Sequence, residues 1–212
     1  MKKLLSLVIS LTMVLSLAVP AFAAAPLSEG NVECRQLTFE EVVLKKMKYD
    51  NISYEAAKEQ LLDEENRILT QIGMNEKNAY TNSMRSNFVQ YVEYSKEFDF
   101  PDNSEFSCAI NVTIRTYSDF GHTRWIDEVV MMSTRRVSGR YSYEWIEEDK
   151  TSIISADKKS VKLMAMGHFS VTTSKEINAS VELPGFSVGS SSGGTYLYLS
   201  NTMRPTGTYC AP

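Results

Sequence analysis

Two hydrophobic periods divide the chain, one of about 3.6 residues and one of two. The helical period begins at Thr38-Phe39-Glu40-Glu41, which has the form of a capping box with Thr38 at the N-cap and Glu41 at N3. Phe39, Val42, Val43 and Met47 follow on one face, with the aliphatic stem of Lys46 beside them. Asp50-Asn51 breaks the run, and Ser53 is placed to cap a second helix. In that helix Ala57, Leu61, Ile68 and Ile72 share a face, flanked by Leu62 and Leu69, and Gly73 supplies a stop. The pattern predicts a helical hairpin over 38–73. It is too small to hold itself together and must lean on another element.

From about residue 84 the period is two. Phe88, Val92 and Tyr94 belong to one predicted strand. In the next, Phe106, Cys108, Ile110, Val112 and Ile114 alternate with Ser107, Asn111, Thr113 and Arg115, which reads as a half-buried strand with a wet outer face. Further strands are expected at Trp125–Met132, Tyr141–Glu147, Thr151–Ala156, Ser160–Thr173, Ile177–Leu183 and Thr195–Leu199. Ser138-Gly139, Glu148-Asp149-Lys150 and Asp157-Lys158-Lys159 mark turns between them, and the stretch from Pro184 to Gly194 reads as a mobile loop. A three-residue turn at Ser174-Lys175-Glu176 would pair Val171 with Ala179 and keep both apolar sets on one face. The fold class that follows is mainly β, an antiparallel sandwich or barrel of about seven to nine strands over 84–212, with an N-terminal helical hairpin.

The N-terminus has a different character. Lys2 and Lys3 precede an apolar run from Leu4 to Val19; Pro20 and Ala21-Phe22-Ala23 follow. This is the layout of a bacterial secretory signal peptide over 1–23, cleaved after about Ala23. Residues 24–37 are expected to be a lead-in without regular structure. The expected location is therefore secreted and extracellular, with no stable membrane anchor after cleavage. Losing Lys2 and Lys3 takes the formal charge from −4 to −6. That acidity argues against nucleic acid as a partner.

Chemistry is sparse. Cys34, Cys108 and Cys210 form neither a CxxC nor a zinc spacing. In an oxidising compartment a disulfide is allowed, and Cys108–Cys210 is the expected pair, with Cys34–Cys210 as the alternative. His122 and His168 lack the local signature of a thiol hydrolase, no GxSxG is present, and no catalytic residue is assigned. Asp99, Asp102, Asn103 and Glu105 crowd one turn without calcium-loop spacing, and neither a metal nor another cofactor is implied.

Aromatic residues carry the functional hint. The chain has 11 Tyr and 2 Trp. Tyr141, Tyr143 and Trp145 fall on one face of one predicted strand, and Tyr196 and Tyr198 on one face of another. Rings with polar tips on a rigid sheet stack on sugars or clamp peptides. The sequence thus favours a non-catalytic extracellular binding module for a glycan, a cell-wall polymer or a protein. A membrane-acting or antibacterial factor is the second reading, because the 161–183 segment has the alternation of a pore-forming hairpin. A secreted hydrolase is the third.

Overall fold

The computed structural model describes residues 29–73, 87–118, 123–137, 142–174, 183–192 and 195–212. Among them are two helices, α1 (Phe39–Asp50) and α2 (Tyr54–Gln71). Nine strands accompany them: β1 (Glu29–Leu37), β2 (Val89–Phe100), β3 (Asn103–Ser118), β4 (Arg124–Arg136), β5 (Glu144–Ile154), β6 (Ser160–Ser174), β7 (Phe186–Ser192), β8 (Thr195–Ser200) and β9 (Thr206–Cys210). The protein is mainly β. Its strands form two antiparallel sheets, a four-stranded one of order β1-β2-β3-β4 and a five-stranded one of order β5-β6-β8-β7, with β9 also paired to β6. Neither sheet closes into a barrel among the described residues.

The helix ends follow their local chemistry. The Glu41 N–H donates to Thr38 Oγ1, and the Thr38 N–H donates to Glu41 Oε2 at 2.8 Å, completing the capping box. Asn51 ends α1 at φ 54°, a left-handed cap that Asn tolerates. The Ser53 hydroxyl accepts from the Ala56 N–H to start α2, and Gly73 follows that helix at φ 83°.

Alternation then divides the sheet residues between two cores. Tyr94, Phe98, Cys108, Ile110, Val112 and Ile114 of the four-stranded sheet meet Val161, Leu163, Phe169 and Val171 of the five-stranded sheet in one apolar cluster. The opposite face of the four-stranded sheet, through Val89, Tyr91 and Met131, packs on Val42, Val43, Ala57, Leu61 and Ile68 of the helices. The hairpin therefore lies on the four-stranded sheet. This corrects the expected wet face of β3. Arg115 and Thr113 are buried there, because α2 covers that end of the strand.

Three other expectations change. The lead-in 24–37 contains β1, an edge strand whose Cys34 pairs with Tyr94 and Leu37 with Tyr91. Glu148-Asp149-Lys150 is not a turn; a bulge between Glu147 and Asp149 absorbs the extra residue and β5 runs through. The loop expected after Pro184 holds β7, turned by Gly185 at φ 79° and paired to β8. The segment that was to pair with Val171 lies largely outside the described residues; Tyr198 of β8 is its partner among them.

Candidate functional site

The aromatic residues singled out by sequence lie mostly between the sheets. Tyr143 is 2% exposed. Its hydroxyl accepts from the Ser107 N–H at 3.1 Å and has the Val137 and Ser107 carbonyls within donating distance at 2.5 and 3.0 Å. Its ring lies 5.0 Å from Phe106 and 5.5 Å from Phe169. Trp145 packs edge-on against Phe169 at 5.1 Å, and its Nε1–H donates to Thr134 Oγ1 at 2.8 Å. The Thr134 hydroxyl in turn donates to Glu147 at 2.6 Å. Both tips are thus engaged within the protein, and both rings join strands of opposite sheets. Tyr198 packs on the same core, paired with the buried Val171. Tyr196, two residues away, is half-buried with its ring 6.4 Å from that of Tyr198. Tyr141 lies outside the described residues, as does His122. The expected aromatic binding face is therefore corrected at Tyr143 and Trp145, whose rings meet the other sheet because alternation places them on its inner side.

The cysteines are free thiols in the structure. Cys108 is buried between the sheets, and burial pushes its thiol up to about 12. Cys210 is exposed on β9. The expected Cys108–Cys210 bond is absent because the two side chains belong to opposite sheets, one facing the core and one solvent. His168 points outward, its Nδ1 2.7 Å from Glu148, away from Cys108. In the acidic turn, Asn103 Oδ1 accepts from the Glu105 N–H and Asp99 accepts from the Ser107 hydroxyl.

A different surface gathers polar side chains from four strands. The antiparallel register places Glu33, Ser95, Asn111 and Ser133 side by side across β1, β2, β3 and β4. The next row toward the helices is Arg35, Glu93, Thr113 and Met131, and the next row away ends on Arg135. The end of α1 borders this half of the sheet through Lys45, Lys48 and Tyr49. Two adjoining recesses of about 280 and 450 Å³ lie there, sharing Glu93 and Asn111. Tyr49, 46% exposed at the end of α1, borders the smaller one, fixed by its hydroxyl donating to the Met132 carbonyl at 2.9 Å.

The groove is internally braced. The Ser95 hydroxyl donates to Asn111 Oδ1 at 2.8 Å, which leaves the amide N–H₂ as a donor. Burial pushes the Glu93 carboxyl up, but the hydrogen bond and charge of Lys45 together with Arg35 more than offset this, and it sits below its ordinary value. Arg35 spans Glu93 and Glu41, both at 2.8 Å. Hydroxyls, an amide, a guanidinium and carboxylates thus stand a strand spacing apart on a rigid sheet. Sequence reasoning missed this row because it exists only once four strands are in register. No family model, curated protein or solved structure matches the chain.

Proposed function

We propose that the chain is exported, with its first 23 residues removed, and that the rest is a non-catalytic binding module built on a β-sandwich. The ligand is a neutral or amino-bearing polyhydroxylated polymer, an extracellular glycan or wall polymer, held on the polar half of the four-stranded sheet. One observation carries this: the row Glu33, Ser95, Asn111 and Ser133, flanked by Arg135 and Tyr49, with Glu33 and Ser133 exposed and Ser95 and Asn111 half-buried. Planar amide, guanidinium and carboxylate groups hydrogen-bond adjacent hydroxyls in pairs, and the fixed Tyr49 ring, with the Lys150 ammonium 5.9 Å from its centroid, borders them. The net charge of −6 after cleavage disfavours a polyanion.

The pore reading has less support. β6 is held by β5 on one side and by β8 and β9 on the other, with Val161, Leu163, Phe169 and Val171 buried. Releasing it would open the core.

The test is co-sedimentation with insoluble glycans and isolated bacterial cell walls. Retention on one of them should fall about tenfold or more in N111A/R135A and be unchanged in Y196A, with all proteins folded by circular dichroism. Retention on none, or a loss confined to Y196A, contradicts the proposal.

A further inference from the structure

The hairpin does not seal against the sheet everywhere. Where β1 runs into α1, a cavity of about 570 Å³ opens between the two helices and β2. That volume lies within the roughly 300–1,000 Å³ of small-molecule sites. Leu37, Phe39, Leu62, Val89 and Tyr91 give it apolar walls, and Glu65 of α2 joins the lining. Glu65 is 5% exposed and Tyr91 2%. The Tyr91 hydroxyl is buried without a hydrogen bond of good geometry, and Glu65 and Arg115 are its charged neighbours.

The chemistry narrows the occupant. An anion would need the Arg115 guanidinium, which Glu64, Asp127 and Glu128 already hold. The charged side chains that line the cavity, Glu40 and Glu65, are both acidic, so the cavity favours a cation. A carboxylate has about four lone-pair positions, and Glu65 can accept from a guest beyond what it already binds. The Phe39 and Tyr91 rings, 6.4 Å apart and tilted by 57°, form the aromatic wall of this space.

We propose that this cavity binds a small amphipathic amine, its ammonium group on Glu65 and its apolar body against Phe39, Leu62 and Val89. The site is separate from the polar groove and independent of what binds there.

The experiment titrates the purified chain with phenethylamine, 2-phenylethanol and 3-phenylpropanoate, following binding by ligand-observed NMR and the melting temperature. The amine should bind saturably, about tenfold more tightly than the alcohol, and the carboxylate should not bind. E65Q should erase the preference for the amine while leaving the alcohol's affinity in place. L62W, which fills the cavity from a half-buried position, should remove both. No saturable binding by the amine, equal binding of all three probes, or an undiminished amine preference in folded E65Q overturns the proposal. If E65Q fails to fold, L62W decides, and unchanged amine binding in it has the same force.

Discussion

Replacing Arg115 by Met should be the most damaging single polar change in the protein. The side chain is 0% exposed and is held by Glu64, Asp127 and Glu128. Burial disfavours its charge, but the hydrogen bonds to Glu64 and Asp127 and the Asp127 charge more than offset this, and its proton is held more tightly than usual. The three carboxylates are not equivalent. Glu64 and Glu128 are 37% and 51% exposed and can turn to water once the guanidinium is gone, whereas Asp127 is 7% exposed and cannot. Its remaining neighbour, Arg67, is 3.4 Å away and half in solvent. Breaking a buried pair costs about 3–5 kcal/mol, and partial relief from Arg67 places R115M near the lower end, about 3 kcal/mol. Urea unfolding, with a slope of about 2 kcal/mol/M, would show this as a midpoint lower by about 1.5 M. The carboxylates should rank by burial, with D127A costing about 2–3 kcal/mol and E128A under about 1 kcal/mol. A loss below about 1 kcal/mol for R115M, or equal costs for D127A and E128A, would refute the assignment of this network as the buried tie between α2 and the sheet.

Further outcomes follow from the same structure. Glu41 is drawn from the ordinary 4.5 to about 2, first by its hydrogen bond from Arg35 and then by those from Thr38. Its folded value is depressed, so its contribution is present above about 4.5 and lost as pH falls toward 2; acid titration of stability should be shallower in E41Q across that window. T38A removes the cap and should cost about 1 kcal/mol in thermal unfolding. Gly167 has no room for a methyl group, since a Cβ would stand 2.3 Å from the Ile146 carbonyl oxygen and 2.6 Å from the Trp145 ring; G167A should cost about 1–3 kcal/mol by urea titration, and a neutral result would mean the β5–β6 contact is looser than described. In the reduced native protein a thiol reagent should modify the exposed Cys210 first, Cys34 more slowly because partial burial raises its thiol, and Cys108 only on unfolding, because burial raises the Cys108 thiol to about 12; rapid labelling of Cys108 would contradict the packed core.

How much of this was legible depended on whether the signal was local. The capping box, the Ser53 cap and the Gly73 stop need only neighbours in sequence, and each is where the pattern places it. The alternation of β3 and β6 is equally local. β1 escaped because it is an edge strand: Val32 is 55% exposed, so its apolar positions do not mark a buried face. β7 escaped because its serines and Gly189 carry turn chemistry while its backbone pairs with β8. The aromatic residues show a different limit. Parity places Tyr143 with Trp145 on one face, as found, but does not say which face meets the other sheet. The polar row is harder still, since Glu33, Ser95, Asn111 and Ser133 come from four strands and share no sequence pattern. Arg115 read as a wet residue for the same reason: its cover, α2, is about fifty residues away in the chain.

The proposed ligand lies on the polar half of the four-stranded sheet, while Tyr143 and Trp145 bridge the two sheets. The most direct test of this placement is an NMR titration of the isotope-labelled chain with soluble oligosaccharides cut from whichever polymer retains it. Saturable shifts are expected at the Asn111 side-chain amide and at the backbone amides of Ser95, Ser133 and Arg135, with Trp145 Nε1–H and the Tyr196 and Tyr198 amides unmoved. Shifts centred on Tyr196 and Tyr198, or none at the Asn111 amide at saturation, would contradict it.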